Sequence, residues 1–443
     1  TFILIMLNSI IKFSITNKLV IGLLTFGLML WGIYSLNQLP VDAVPDITNN
    51  QVQVITTSPN LAAVEVERLI TFPIEITMAT IPEIEEIRSF SRFGLSVVTI
   101  VFEENTDIYW ARQQVNERLT EAQSKIPTSA GKPGIAPLST GLGEIYQYVI
   151  TNKEGYEGKY NDRELRTIQD WIIRRQLLGT PGVADVSSFG GHLKQYEIAI
   201  APELLNAMNV SIHDIFKALE ANNENTGGAY IEKGNNALFI RSEGLVGSLE
   251  DIENIVVKNN PSGSPILIKD VAKVQIGSAV RYGASTRNGN GEVVSAIVMM
   301  LKGANSAEVI ESIKLKMADI RKTLPEGVVI EPFLDRTKLV DKAISTVTTN
   351  LIEGALIVIF VLLLLLGNLR AGLITASVIP LALLFAFGMM HVFGVSANLM
   401  SLGAIDFGLI VDGAVIIVEA TLFHLGALKI SRKLTQQEMD EEV

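Results

Sequence analysis

The chain has 443 residues, of which 48% are hydrophobic, and its mean hydropathy is +0.34. These values indicate a membrane protein with a large soluble part, and the length exceeds that of one ordinary domain. The net charge of −11 argues against a nucleic-acid partner, and the lack of cysteine in the sequence excludes disulfides and thiolate metal sites.

The first long apolar run covers residues 19–36, carries no charged residue and follows Lys12 and Lys18. A run of this length can cross a bilayer as one helix. A secretory signal peptide is the alternative, but its apolar region would be shorter and would be followed by a small-residue cleavage site. We therefore expect a cytoplasmic N-terminal segment at 1–18, a first transmembrane helix at 19–36, and contact with the lipid bilayer.

Residues 37–343 contain no run that is long and apolar enough to span, so we expect a soluble region of several subdomains. Its first part, about 37–140, has the order strand, helix, strand, strand, helix, which indicates a ferredoxin-like βαβ subdomain. Pro73 should bend or interrupt the first of these helices, and Asp107 is placed to cap the second. The predicted elements are strands at 51–58, 86–92 and 96–103 and helices at 61–79 and 107–125.

A second βαβ subdomain is expected at 141–189 and 277–343, with an inserted subdomain at 190–276. Two strands are predicted on either side of a turn at Gly190-Gly191, and a hairpin is predicted about Asn288-Gly-Asn-Gly291. Within the insert, residues 222–236 are rich in Asn and Gly and should form a protruding loop. The predicted strands are 145–151, 183–189, 194–200, 238–241, 266–276, 281–288, 292–301 and 328–334, and the predicted helices are 162–178, 211–222 and 304–324.

Three further transmembrane helices are predicted near the C-terminal end, and a polar segment follows them. Pro380 lies inside the middle one, where a membrane helix tolerates proline better than a soluble helix does. The basic residues of the short connections fall on one side if the N-terminus is cytoplasmic, which places the soluble region outside the cytoplasmic membrane. The predicted boundaries are 344–366, 373–393 and 399–422 for the helices and 423–443 for a cytoplasmic segment.

The last predicted span carries three carboxylates, Asp406, Asp412 and Glu419, and no basic residue. Acids within a membrane span are costly and mark proton or ion pathways. On a helix, Asp412 and Glu419 lie within about 20° of one another, whereas Asp406 lies roughly 120° round from Asp412. The three therefore form a ladder along the helix rather than one metal cage. Glu419 has the alternative of extending to the interface from the helix end.

Five stretches together resemble the resistance–nodulation–division (RND) efflux pumps, and within them the heavy-metal branch of cobalt–zinc–cadmium type. The stretches are Asn8-Ser-Ile-Ile-Lys-Phe-Ser14, Leu39-Pro-Val-Asp-Ala-Val-Pro-Asp-Ile47, Gly141-Leu-Gly-Glu-Ile-Tyr146, Leu165-Arg-Thr-Ile-Gln-Asp-Trp171 and Asp406-Phe-Gly to Val411-Asp-Gly-Ala414. The proteins of this family are longer than this chain, which looks like their N-terminal portion.

The resemblance implies a proton/cation antiporter without a cofactor, not an enzyme, in the inner membrane of a Gram-negative bacterium. It implies a homotrimer that works with a periplasmic adaptor and an outer-membrane channel. Residues 222–236 match the docking hairpin that reaches into the neighbouring protomer. The fold class expected is α/β: transmembrane α-helices and a large periplasmic α+β domain of ferredoxin-like βαβ subdomains.

The same resemblance matches Asp406, Asp412 and Glu419 to the acids of the proton relay. The Asp-Phe-Gly that contains Asp406 is similar to the zinc, cobalt, cadmium or nickel type rather than to the copper and silver type. Divalent ions of that kind favour carboxylate and imidazole ligands. Glu144 and Asp185 are the candidate metal ligands in the soluble region, and ordinary surface carboxylates are their alternative role.

Two other functions are open at this level. A multidrug-type RND pump would favour aromatic pocket walls, and only 7% of the residues are aromatic. A non-transporting periplasmic sensor or assembly protein would not need acids in a membrane span.

Overall fold

The computed structural model describes residues 11–39, 44–225, 227–234, 236–241, 244–260, 263–281, 283–289, 291–366, 369–398, 400, 412–421 and 423. Two four-stranded units, an inserted unit and a set of apolar helices make up this part of the chain. The predicted span at 399–422 lies largely outside the described residues, and Asp406 lies outside them entirely.

The first unit has an antiparallel sheet with the strand order β2-β3-β1-β4 and two helices packed on it. The Asp107 carboxylate caps α3 as predicted, because it accepts a hydrogen bond of 2.7 Å from the Trp110 N–H. The core includes Val54, Ile70 and Ile100, which are fully buried. The elements are β1 (Gln51–Thr57), α2 (Ala63–Val66, Glu67–Thr71 and Phe72–Met78), β2 (Ile84–Arg92), β3 (Leu95–Phe102), α3 (Ile108–Lys125) and β4 (Gly134–Ile135).

The helix α2 continues past Pro73, but its middle segment, Glu67–Thr71, is a π-helical turn. Proline lacks an N–H donor, and its ring clashes with the carbonyl four residues earlier, so regular α-helical hydrogen bonding is disfavoured at this point. The predicted irregularity is present as the π-helical turn that precedes Pro73. The helix 162–177 of the second unit has a π-helical turn at Gln169–Ile173 without a proline, so Pro73 alone does not account for such a turn.

The second unit repeats the topology of the first, with the strand order β14-β5-β13-β6. Numbered within each unit, the two orders are the same. Its core includes Tyr148, Ile173 and Ile310, all fully buried. The elements are β5 (Glu144–Asn152), α4 (Asp162–Ile168, Gln169–Ile173 and Arg174–Leu177), β6 (Val183–Phe189), β13 (Val294–Met300), α9 (Ser306–Thr323) and β14 (Val328–Asp335).

The inserted unit lies in sequence between β6 and β13 and connects to the second unit through the antiparallel pair β7–β12. Residues 227–233, predicted as loop, form β8, whose residues are all exposed and which pairs with β9. The elements are β7 (Lys194–Ile200), α5 (Pro202–Ala207), α6 (Ile212–Ala221), β8 (Gly227–Lys233), β9 (Asn236–Arg241), α7 (Leu249–Glu253), β10 (Val256–Asn259), β11 (Pro265–Leu267), α8 (Ile268–Val271) and β12 (Ala272–Ser278).

The two strands predicted about Gly190-Gly191 are present, but the hairpin predicted about Asn288-Gly-Asn-Gly291 is wrong. Of the two strands, β6 pairs with β13 and β7 pairs with β12. The described residues of 281–289 form no strand, and only one isolated bridge joins Thr286 to Glu292. The reason is that both edges of β13 are already occupied, one by β5 and one by β6, so no third strand can pair with it.

Two helices of the described residues are long and apolar enough to cross a membrane, α1 (Lys18–Gln38) and the 372–392 part of α11 (Leu369–Val392). They agree with the first and third predicted spans, and Pro380 lies inside α11. The second predicted span is part of α10 (Arg336–Leu366), which starts directly after β14 and contains a shorter apolar segment, Ile352–Val361.

The helices α1 and α11 pack closely and in the same direction. Gly32 lies against Leu384, and the Trp31 ring lies against Gly388. Further along both helices, the Tyr34 and His391 rings meet edge to face with centroids 6.2 Å apart. Glycine at such contacts allows the close helix approach that stabilises membrane interfaces.

The junction of β14 and α10 is held by Asp335. Its carboxylate lies 2.6 Å from the Lys314 ammonium of α9 and accepts a hydrogen bond of 3.0 Å from the Thr337 N–H. Burial raises the pKa of Asp335, but the hydrogen bonds from Lys314 and Thr337 outweigh burial, so the net pKa is lowered. The ionised carboxylate therefore stabilises this junction at neutral pH.

We expect Asp335→Asn to cost about 1 kcal/mol of unfolding free energy at pH 7. A carboxyl whose pKa is lowered in the folded state stabilises above its ordinary pKa, and this contribution is lost as the pH falls through the folded-state pKa. Wild type and variant should therefore converge on acidification in thermal unfolding of the detergent-solubilised protein. Asp319→Asn, at an exposed ion pair 2.8 Å from Lys322 on α9, is the control and should have little effect. If wild type and Asp335→Asn differed in thermal stability by the same amount at acid pH, the stabilising role of ionised Asp335 would be contradicted.

Candidate functional site

The described end of the last predicted span is helical over 412–421, here named α12. Asp412 and Glu419 both lie on it and are exposed in this chain. Seven residues of α-helix are nearly two full turns, so the two carboxylates share one face about 10 Å apart along the axis. The two carboxylates therefore occupy successive positions along one face of the helix.

The two candidate metal ligands of the soluble region lie on either side of one residue. Glu144 begins β5 and is paired with Met299 of β13, and Asp185 of β6 is paired with Met299 from the other side. Because neighbouring strands lie about 4.8 Å apart, the two backbones are about 10 Å apart across the sheet. The fold thus brings together two carboxylates that are far apart in sequence.

The surroundings of the two carboxylates differ. Glu144 is exposed and accepts a hydrogen bond of 3.1 Å from the Gln147 amide. Asp185 is half-buried and forms an ion pair of 3.0 Å with the Arg174 guanidinium of α4. A metal ion at Asp185 would have to compete with this cation. Within the described residues, no group of three or more His, Asp or Glu side chains is arranged to hold a metal ion.

A charged cluster holds the connection between the second unit and the inserted unit, and the sequence analysis missed it. The Glu292 carboxylate accepts hydrogen bonds from the Arg281 guanidinium at 2.6 Å and from the Gly191 N–H at 3.0 Å. The His192 ring meets the Asp162 carboxylate at the start of α4. Burial raises the pKa of Asp162, but the hydrogen bond and charge of His192 outweigh burial and lower the net value.

The pairing of these charges follows from strand geometry. The opposed strands β7 and β12 bring the residues before β7 beside those after β12, which places His192 and Arg281 at one site. Their spacing along the chain carries no periodic signal. Only the position of Gly190-Gly191, both in the left-handed region at φ +69° and +65°, indicates a constrained connection there.

Comparisons with known proteins agree with this architecture. The family model described as the AcrB/AcrD/AcrF family matches residues 10–442. The cobalt-zinc-cadmium resistance protein CzcA of Cupriavidus metallidurans is 47% identical over 99% of this chain and 42% of its own length. The cation efflux system protein CusA of Escherichia coli K12 is 38% identical over 94% of this chain and 39% of its own length.

A solved structure shows the same fold. The crystal structure of a heavy metal efflux pump, crystal form II, superposes with a TM-score of 0.83 at 36% identity, covering 96% of this chain and 42% of that one. The chain spans about two fifths of the length of these relatives. The resemblance found in the sequence is confirmed by these matches: the chain belongs to the AcrB/AcrD/AcrF family of RND proteins.

Proposed function

We propose that the protein to which this chain contributes is a proton-driven pump that exports divalent heavy-metal cations, namely zinc, cobalt, cadmium or nickel. It is a secondary active transporter and not an enzyme. The observation that carries the proposal is the carboxylate pair on α12, Asp412 and Glu419, in an apolar segment of a chain with this fold. The name of the relative CzcA, a cobalt-zinc-cadmium resistance protein, supports the choice of cargo.

We assign the proton relay to Asp406, Asp412 and Glu419. Their spacing supports a path along the helix in which each carboxylate accepts and releases a proton. Asp412 and Glu419 share a face, and Asp406, on the basis of helical spacing, points to another.

We assign Glu144 and Asp185 as part of a metal site on the second unit. Their positions on both sides of Met299 support the assignment, since carboxylates are suitable ligands for borderline divalent ions. Two carboxylates are fewer than the four ligands that zinc usually takes, so further ligands or water must complete the shell. Release of Asp185 from Arg174 is the step that opens the site.

We propose that the two four-stranded units are ferredoxin-like porter subdomains at about 37–140 and at 141–189 with 277–343. The common strand order of the two sheets supports this reading. Residues 190–276 form a docking subdomain, and the periplasmic domain as a whole is 37–343. The chain crosses the inner membrane four times, at 19–36, 344–366, 373–393 and 399–422, with 1–18 and 423–443 in the cytoplasm.

We propose a homotrimer that works with a periplasmic adaptor protein and an outer-membrane channel. The hairpin β8–β9 supports the trimer, because its described side chains between 227 and 240 are exposed, among them Tyr230 at 53% and Phe239 at 82%. Exposed aromatic side chains on a projecting hairpin are typical of a segment that inserts into a neighbouring protein.

The proposal is tested by expressing the full-length gene in a metal-sensitive, drug-sensitive host and measuring growth at graded concentrations of zinc, cobalt and several organic antibiotics. We expect tolerance to the metals and none to the antibiotics. The double variant Glu144→Gln with Asp185→Asn should lower metal tolerance, and Glu308→Gln on α9 is the control. Tolerance to antibiotics alone would indicate a multidrug pump, and tolerance to neither would indicate a sensor or assembly protein.

A further inference from the structure

A cavity of about 410 Å³ lies where three parts of the chain meet. Its walls come from residues 44–48, which follow α1, from 140–142 and 300–304 of the second unit, and from 394–398, which follow α11. The contacts of Gly32 with Leu384 and of Tyr34 with His391 show that α1 and α11 run in the same direction. The cavity therefore adjoins the C-terminal ends of both helices, at one face of the proposed membrane.

Two opposite charges line this cavity, the Asp46 carboxylate and the Lys302 ammonium. Asp46 accepts a hydrogen bond of 3.0 Å from the Thr48 N–H. Burial raises the pKa of Asp46, but hydrogen bonds from Thr48 and Thr140 and the charge of Lys302 outweigh burial and lower it. The carboxylate is therefore ionised at neutral pH, and a carboxylate has about four acceptor positions, so it retains room for a further donor.

Lys302 is half-buried, and within the described residues no carboxylate oxygen lies within 4 Å of its ammonium. A partly desolvated ammonium without a close counter-ion is stabilised when a ligand places an anionic group beside it. The cavity thus presents one cation and one anion that line the same space and form no direct ion pair among the described residues.

The remaining lining fits a lipid at the membrane surface. Hydroxyl groups of Thr48 and Thr140 lie beside the charges, and Val44, Leu142 and Val395 provide an apolar wall. The volume falls within the range of about 300–1,000 Å³ that ligand pockets occupy. A ligand that complements this lining has an anionic group, a cationic group that donates hydrogen bonds, and an apolar part.

We propose that this cavity binds the phosphoethanolamine head group of phosphatidylethanolamine, with the phosphate at Lys302 and the primary ammonium at Asp46. The proposal rests on the membrane orientation given above. Phosphatidylglycerol lacks the ammonium and leaves the remaining acceptor position of Asp46 without a charged donor. The quaternary ammonium of phosphatidylcholine has no N–H to donate to the carboxylate.

The full-length protein is extracted in mild detergent and exchanged into mixtures of phosphatidylethanolamine, phosphatidylglycerol and phosphatidylcholine. Bound lipid is then counted by native mass spectrometry. We expect retention of phosphatidylethanolamine to exceed that of either other lipid, and Asp46→Asn or Lys302→Gln to reduce it about tenfold. Lys302→Arg should retain it because the positive charge remains. The exposed pair Asp319→Asn and Lys322→Gln is the matched control and should change nothing.

Equal retention of the three lipids, or retention that survives Lys302→Gln in correctly assembled protein, would overturn the proposal. Displacement of the lipid by soluble glycerophosphoethanolamine at millimolar concentration would overturn the membrane source of the head group. Metal tolerance is measured on the same variants. Lipid retention does not depend on the proposed relay acids, so the two measurements test the lipid site and the pump separately. If the wild-type protein transports metal but does not select among the three lipids, this inference is refuted while the proposed function stands.

Discussion

Asp412→Asn in the full-length protein should lower proton-coupled metal export by about 100-fold or more, which is the effect of removing an essential proton-transfer group. Asparagine has nearly the shape of aspartate, so packing around α12 is retained while the side chain can no longer take up and release a proton. Zinc and cobalt tolerance should fall to that of cells without the gene. The measurement is growth in graded metal, together with proton flux driven by a metal gradient in proteoliposomes.

The control for this variant is Asp341→Asn, which removes an exposed carboxylate of α10 outside the proposed relay. It should leave tolerance unchanged, and immunoblots of membranes should show equal amounts of both variants. Glu419→Gln should resemble Asp412→Asn, because the two residues share a helix face. Full metal tolerance of Asp412→Asn would rule out the relay assignment.

Gly190→Ala should destabilise the protein by about 3 kcal/mol, from left-handed backbone strain and steric overlap together. Gly190 has φ +69°, and a Cβ there would lie 2.2 Å from the Val293 carbonyl oxygen and 3.0 Å from the Ser285 Cβ. The nearest obstacle is backbone, which cannot rotate away. The expected result is a lower thermal unfolding midpoint and loss of the contacts that hold the inserted unit.

Gly289→Ala is the matched control for Gly190→Ala. Gly289 has nearly the same φ, +71°, but a Cβ there would meet no atom within 4 Å. This variant should cost only the backbone strain, about 1 kcal/mol. The difference between the two variants then isolates the steric overlap at Gly190. Equal thermal unfolding midpoints of the two variants would show that the backbone at Gly190 moves aside for the added Cβ. The connection to the inserted unit would then not be rigid.

Local signals in the sequence determined much of this protein. The capping by Asp107, the irregularity predicted next to Pro73 and the spans at α1 and α11 all depend on residues within a few turns of one another. Helix capping, proline geometry and apolar length act over such short distances, so they can be predicted without the tertiary structure. The ladder of the three proposed relay acids is likewise predicted from spacing along one helix.

Only the tertiary structure decided which strands pair and which charges meet. The hairpin predicted about Asn288-Gly-Asn-Gly291 fails because β13 is occupied on both edges by β5 and β6, which come from distant parts of the chain. The same pairing places Glu144 and Asp185 beside Met299. The connection after α1 meets the end of β13 at Asp46 and Lys302. Such contacts depend on the packing of whole units, and no periodicity along the chain encodes them.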